Sequence, residues 1–224
     1  MANILVVAAH PDDEVLGCGA TMARHAANGD KVFVQFLADG ETSRQGATDK
    51  DVRAREAAAR AAAEALGAEV LSFARLPDNR LDSLPLLQIV AEVESTVRQL
   101  RPSIVYTHSY ADLNIDHQTT HRAALTACRP LPQKPTLRLL AFEVPSSTEW
   151  HVPGNGRAFS PTVFVNAVPF MDAKREALLC YGDEIPEPPH ARSMDAVIHL
   201  AGRRGAQCGF PAAEAFELIR EIQP

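Results

Sequence analysis

The sequence has no CxxC pair: its four cysteines, Cys18, Cys128, Cys180 and Cys208, stand singly along 224 residues. Such spacing offers neither a disulfide framework nor a thiolate zinc site, and leaves the four as small buried hydrophobes. There is no excess of positive charge either. With 22 Lys and Arg against 28 Asp and Glu the net charge is −6 and the pI about 5.7. Nucleic acid and acidic membrane surfaces are thereby excluded as general partners. No apolar run is long enough to span a bilayer, and the stretch before His10 lacks a basic flank and the length of a signal segment. The expected location is the cytoplasm. Repeats, low-complexity tracts and a linker-like break are all missing, so one domain over residues 1–224 is the expectation.

What is present is an alternation of strand and helix patterns. Asn3-Ile4-Leu5-Val6-Val7-Ala8-Ala9 is continuously apolar and stops at His10-Pro11, as a strand buried on both faces does. A helix over about 18–27 ends at Asn28-Gly29, and 31–37 reads as a second strand. The spacing then predicts a helix over 51–66 stopped by Gly67, a strand at 69–73, a helix over 86–100 and a strand at 103–107, followed by a helix whose first turn holds His117. Beyond Arg129 the chain is Pro-rich, with strands expected near 138–144 and 162–166 and helices near 169–180, 190–203 and 212–222. This order gives an α/β fold: a Rossmann-like, mostly parallel sheet with helices on both faces. The apolar, Pro-rich second half is compatible with self-association into a homo-oligomer.

Ligands of such sheets bind beyond the carboxyl ends of the strands. Three segments there carry chemistry: His10-Pro11-Asp12-Asp13-Glu14, the stretch from Asp39 to Arg44, and His108 to His117. His10 and Asp13 can be aimed at one point by a tight turn, and an imidazole with a carboxylate suits a borderline cation such as zinc. His117 is the candidate third ligand. Asp12, between the near ligands, cannot share their direction, and a carboxylate beside the metal but not bound to it is what a general base for a metal-activated water must be. Each motif has a plainer account: Pro-Asp-Asp-Glu as an ordinary helix N-terminus, His117 and His121 as a solvated helix face. Two His/Asp clusters at one sheet edge are harder to explain as decoration.

His10-Pro11-Asp12-Asp13-Glu14 with Val15-Leu16-Gly17-Cys18-Gly19, and then Asp112-Leu113-Asn114-Ile115-Asp116-His117, resembles the PIG-L/LmbE-like zinc-dependent N-deacetylases. Leu37-Ala38-Asp39-Gly40-Glu41, Arg55, the stretch from Leu76 to Asp82, Pro189-His190-Ala191-Arg192-Ser193 and the stretch from Gly205 to Gly209 extend the likeness over most of the chain. The resemblance implies one zinc held by His10, Asp13 and His117, Asp12 as general base, and hydrolysis of an N-acetyl group on a glucosamine-type small molecule, free or carried by a nucleotide or lipid. It also implies substrate contacts from Arg55 and Asp78, and the same role is expected of Asp39, Arg44 and Arg192. There is one departure: where some relatives carry a histidine that can stabilise the oxyanion, this chain has Asn114. An amide can donate a hydrogen bond there but supplies neither charge nor proton. His108 or His190 is expected to assist. Trp150 and the segment Gly154 to Arg157 are further candidates for a sugar platform.

Two other classes compete. Gly17-Cys18-Gly19 hints at a dinucleotide-binding oxidoreductase, but the third glycine of that fingerprint is missing and phosphate would meet carboxylates. The other is a sugar-binding protein without chemistry on the same fold, or an amidohydrolase for a different acyl group.

Overall fold

The computed structural model describes residues 1–130, 138–152 and 158–223. Its elements run β1 (Asn3–Ala8), α1 (Asp13–Ala27), β2 (Lys31–Ala38), α2 (Asp49–Ala65), β3 (Glu69–Leu76), α3 (Leu86–Leu100), β4 (Ile104–His108), α4 (Ile115–Ala127), β5 (Arg138–Phe142), β6 (Val163–Asn166), α5 (Met171–Leu179), α6 (Met194–Ala206) and β7 (Ala213–Glu221). The strands form one seven-stranded sheet in the order β3-β2-β1-β4-β5-β7-β6. β3, β2, β1, β4 and β5 pair in parallel, and β7 pairs antiparallel with both β5 and β6. Strand order reverses between β1 and β4, which opens the cleft where such sheets place their ligands.

Alternation along β1 divides the core. Ile4, Val6 and Ala8 join the apolar cluster that includes Val15, Met22, Ala59, Ala62, Ala177 and Val197 from α1, α2, α5 and α6. Leu5 and Val7 turn to the opposite face, against Ile89, Val93, Ala123 and Ala127 of α3 and α4. Side chains that point to both faces and find apolar partners on each explain why the strand reads as an unbroken hydrophobic run.

Two expectations are corrected. The first helix begins at Asp13, not near Cys18, because the Asp12 carbonyl already accepts from the Val15 and Leu16 amides. The segment 212–222, expected to be a helix, is strand β7. Its Ala, Glu, Leu and Arg content favours helix locally, but pairing on both edges, to β5 and β6, outweighs a propensity of a few tenths of a kcal/mol per residue.

A buried ion pair joins β7 to the start of the chain. α1 is broken at Cys18 (φ −146°, ψ 23°), which leaves backbone groups without helical partners. Glu214 of β7 accepts from the Ala20 and Thr21 amides at 3.0 and 2.7 Å, as a cap does for a new helix start. Lys174 of α5 donates to the Leu16 carbonyl at 2.9 Å and to Glu214 at 2.7 Å. Beside the break Gly17 lies against Phe142, so close that a Cβ would fall 2.3 Å from the ring.

Candidate metal centre and active site

The loop after β1 is tied before the helix starts. The His10 amide donates to Asp13 Oδ2 at 2.8 Å, and Asp12 takes φ 127°, a region L-residues rarely enter. That turn sends neighbouring carboxylates apart. Asp13 faces His10 and His117, whereas Asp12 faces the guanidinium of Arg192, 3.0 Å away. α4 presents His117 in its first turn, after Asn114 caps it by accepting from the Asp116 amide at 2.8 Å.

His10, Asp13 and His117 each offer a ligand atom within 4.8 Å of the others, and all three are buried. His10 Nδ1 is 3.2 Å from Asp13 Oδ2, and His117 Nε2 is 3.3 Å from the same oxygen without hydrogen-bond geometry. The far nitrogen of each ring is held by other carboxylates: His10 Nε2 by Asp116 at 3.1 Å and Asp78 at 3.2 Å, and His117 Nδ1 by Asp112 at 3.1 Å. Asp116 and Asp112 are themselves fixed, by the Leu81 amide and by Ser147 and Thr148. When each ring keeps only the proton on its far nitrogen, the near nitrogens turn lone pairs to one point, the arrangement that orients histidine ligands around a metal. Asp13 Oδ1, His117 Nε2 and Asp12 Oδ1 are buried without a hydrogen bond. The unpartnered Asp13 oxygen and His117 nitrogen, in an N,O donor set with His10, fit a divalent cation such as zinc.

The electrostatics of the metal-free protein follow from this crowding. Burial opposes charge on both imidazoles, but Asp116, Asp13 and Asp78 lift His10 well above its ordinary pKa, and Asp13 with Asp112 lifts His117 to about 9. Burial also acts to raise Asp13, yet His117, His108 and His10 hold it well below the usual carboxylate range. Asp12 is pushed up to about 6 by burial and by Asp13, against the pull of Arg192 and Arg55. His117 therefore carries a proton at pH 7 that a metal bound there would have to displace, and His10 is shifted in the same direction, so metal uptake is expected to release protons. The raised His117 value stabilises the metal-free fold most fully below pH 6.5, and that contribution is lost as pH rises through about 9. Metal affinity should rise over the same range, and calorimetric titration in buffers of different ionisation heat measures the protons released. No release would contradict the protonated resting state.

The cleft beside this centre is lined by Asp12, Ser43, Arg44, Arg55, Asp78, Asn79, Asn114, Glu184 and Arg192. Arg55 is buried against Glu41 at 3.2 Å and Glu184 at 3.0 Å, and the half-exposed Arg44 reaches the same two carboxylates. Asp78, lowered to about 2 because His10 and Ser43 outweigh its burial, joins the cleft to His10. Asn114 Nδ2 donates to Asn79 Oδ1 at 3.1 Å.

Other residues expected at the site lie elsewhere. His108 is fully buried behind His117, its ring centroid 4.0 Å away, and its Nε2 accepts from the Ala9 amide. Burial and the His117 charge hold it well below its ordinary pKa, so it is a neutral packing partner and not a cationic donor in the cleft. His190 accepts from the Arg192 amide and meets Trp150 edge-on, and neither ring lines the cleft. Asp39 is a turn builder: its carboxylate accepts from the Glu41 and Thr42 amides at 2.8 Å. Gly154 to Arg157 lie outside the described residues. Glu184 was not anticipated at all, and Glu14, raised to about 8 by burial and hydrogen-bonded by the Tyr181 hydroxyl, supports the turn from beneath. The Asp112 to His117 spacing was the one available signal for the carboxylates behind the ligands.

Residues 5–128 match the profile of the PIG-L family, described as GlcNAc-PI de-N-acetylase. The chain is 32% identical to the uncharacterized deacetylase YaiS of Escherichia coli K12, over 72% of this chain and 80% of that protein. It is also 32% identical to the 1D-myo-inositol 2-acetamido-2-deoxy-alpha-D-glucopyranoside deacetylase of Geodermatophilus obscurus, over 56% of this chain and 52% of that one. Among solved structures it resembles GalB, the 4-carboxy-2-hydroxymuconate hydratase of Pseudomonas putida KT2440, with a TM-score of 0.80 and 25% identity over 100% of this chain and 98% of that one. Among the described residues no helix is long and apolar enough to cross a membrane.

Proposed function

Because the chain belongs to the PIG-L family of de-N-acetylases, we propose that it hydrolyses the N-acetyl group of a GlcNAc-type amino sugar or its conjugate, with zinc held by His10, Asp13 and His117. The observation that carries this is the convergence of those three side chains beside a buried Asp12 whose Oδ1 has no partner. Zinc there would polarise the acetyl carbonyl and acidify a water molecule. Asp12 takes the proton of the attacking water through Oδ1 and returns it to the departing nitrogen, so acetate and a free amine leave. Asn114 keeps a second amide hydrogen beyond the one given to Asn79 and offers it to the carbonyl oxygen. Ser43, Asn79 and Asp78 suit sugar hydroxyls.

A second reading is addition of water to an unsaturated, carboxylate-bearing substrate at the same centre. It is favoured by the full-length likeness to a hydratase and by the guanidinium groups of Arg44, Arg55 and Arg192 along the cleft. Acetate release from a panel of free and nucleotide-linked N-acetyl sugars, with zinc and after chelation, tests the first. Zinc-dependent acetate from at least one member is expected. Silence across the panel with metal bound, together with turnover of an unsaturated carboxylate, would favour the second.

A further inference from the structure

We propose that Arg192 is a positioning residue that holds the Asp12 carboxylate in its working orientation, an assignment that rests on Asp12 being the base. The backbone leaves Asp12 poorly specified, since a φ of 127° belongs to no regular element and its side chain can swing about χ2. The two carboxylate oxygens are treated differently. Oδ2 accepts from Arg192 at 3.0 Å, and Oδ1 has no hydrogen bond although the residue is only 1% exposed. One oxygen is held, and the other is kept for a proton.

Arg192 is equipped to hold it. Its Nε donates to Ser146 Oγ at 2.6 Å, Ser146 itself sitting at φ 67° in the turn after β5. Its backbone amide donates to His190 Nδ1 at 3.1 Å, and the next residue, Ser193, caps α6 by accepting from the Ala196 amide. Arg192 is thus anchored at its backbone and at Nε by segments far from β1. Arg55 also bears a charge toward Asp12, but its ion pairs go to Glu41 and Glu184, so no other arginine is hydrogen-bonded to Asp12 among the described residues. A planar fork can engage Ser146 and Asp12 together, whereas a lysine ammonium on a single stem cannot reproduce both directions.

The tests are Arg192→Met and Arg192→Lys. Misplacing a reacting group by about 1 Å can cost on the order of 100-fold, so kcat should fall about 10- to 100-fold in Arg192→Met, with KM and metal content near those of the parent. Added guanidinium should restore part of that loss, and Arg192→Lys should fall between the two. A crystal structure of Arg192→Met should show the Asp12 carboxylate rotated or split between orientations. Unchanged kcat, or a raised KM with kcat kept, would overturn the assignment, the latter pointing to substrate contact. An Asp12 carboxylate fixed as before in that structure would overturn it whatever reaction the chain catalyses, which separates this failure from failure of the deacetylase reading.

Discussion

Replacement of Asp12 by asparagine is expected to leave about one equivalent of metal bound while kcat falls by about 10²- to 10⁴-fold, the range a positioned general base contributes. Asparagine is the cleaner variant. It keeps the shape and can still accept from Arg192, and it tolerates positive φ better than alanine, so strain at φ 127° is not confused with lost chemistry. What it loses is the basic oxygen. Activity of the parent should rise with pH as Asp12 ionises and be lost as pH falls through its pKa, which is about 6 in the metal-free protein and lower beside a cation. Because burial raises that pKa, ionising Asp12 costs the metal-free fold about 3 kcal/mol at neutral pH, and the asparagine variant should melt higher when stripped of metal. Initial rates, metal analysis and a melting curve check the three statements. Turnover within about tenfold of the parent would remove Asp12 from the role of base.

The second large effect is loss of the metal itself. His117 is fully buried between Asp13 and Asp112, so His117→Ala removes a proposed ligand and the counter-charge of two carboxylates at once. Breaking such a buried arrangement costs about 3–5 kcal/mol, so a low yield of folded protein by itself says little about ligation. His117→Gln fills the space with a neutral amide that can still donate to Asp112, and its metal content is the informative value. Both variants should retain well under one equivalent after dialysis, with activity falling in proportion. Full stoichiometry in folded His117→Gln would exclude His117 as a ligand.

Much of this was legible in the sequence, and unevenly so. Asn3 to Ala8 and Leu86 to Leu100 are read correctly because their patterns are local: an unbroken apolar run for one, a helical stripe for the other. β7 is misread for the opposite reason. Its inward Glu214 is satisfied by α1 amides and by Lys174, partners that no local period reveals. The same division runs through the site. His10, Asp12 and Asp13 lie close together in sequence, and their divergence follows from a tight turn, whereas Glu184 arrives from the far end of the chain with no spacing to announce it, and Arg192 is reached only through the family resemblance, as a substrate contact. His108 fails as a cleft residue because strand-end position fixes its neighbourhood but not its direction. In the structure it points behind His117 and accepts from Ala9.

The break in α1 has a consequence for the order in which the protein is made. The loop bearing His10, Asp12 and Asp13 leaves the ribosome early, yet the amides freed at the break wait for Glu214, and Asp12 waits for Arg192. A nascent chain therefore carries His10, Asp12 and Asp13 long before Glu214 and Arg192 exist. The kink in α1 is satisfied only when β7 brings Glu214 to it, and Asp12 is held only once the turn before α6 brings Arg192, so both are late events of synthesis.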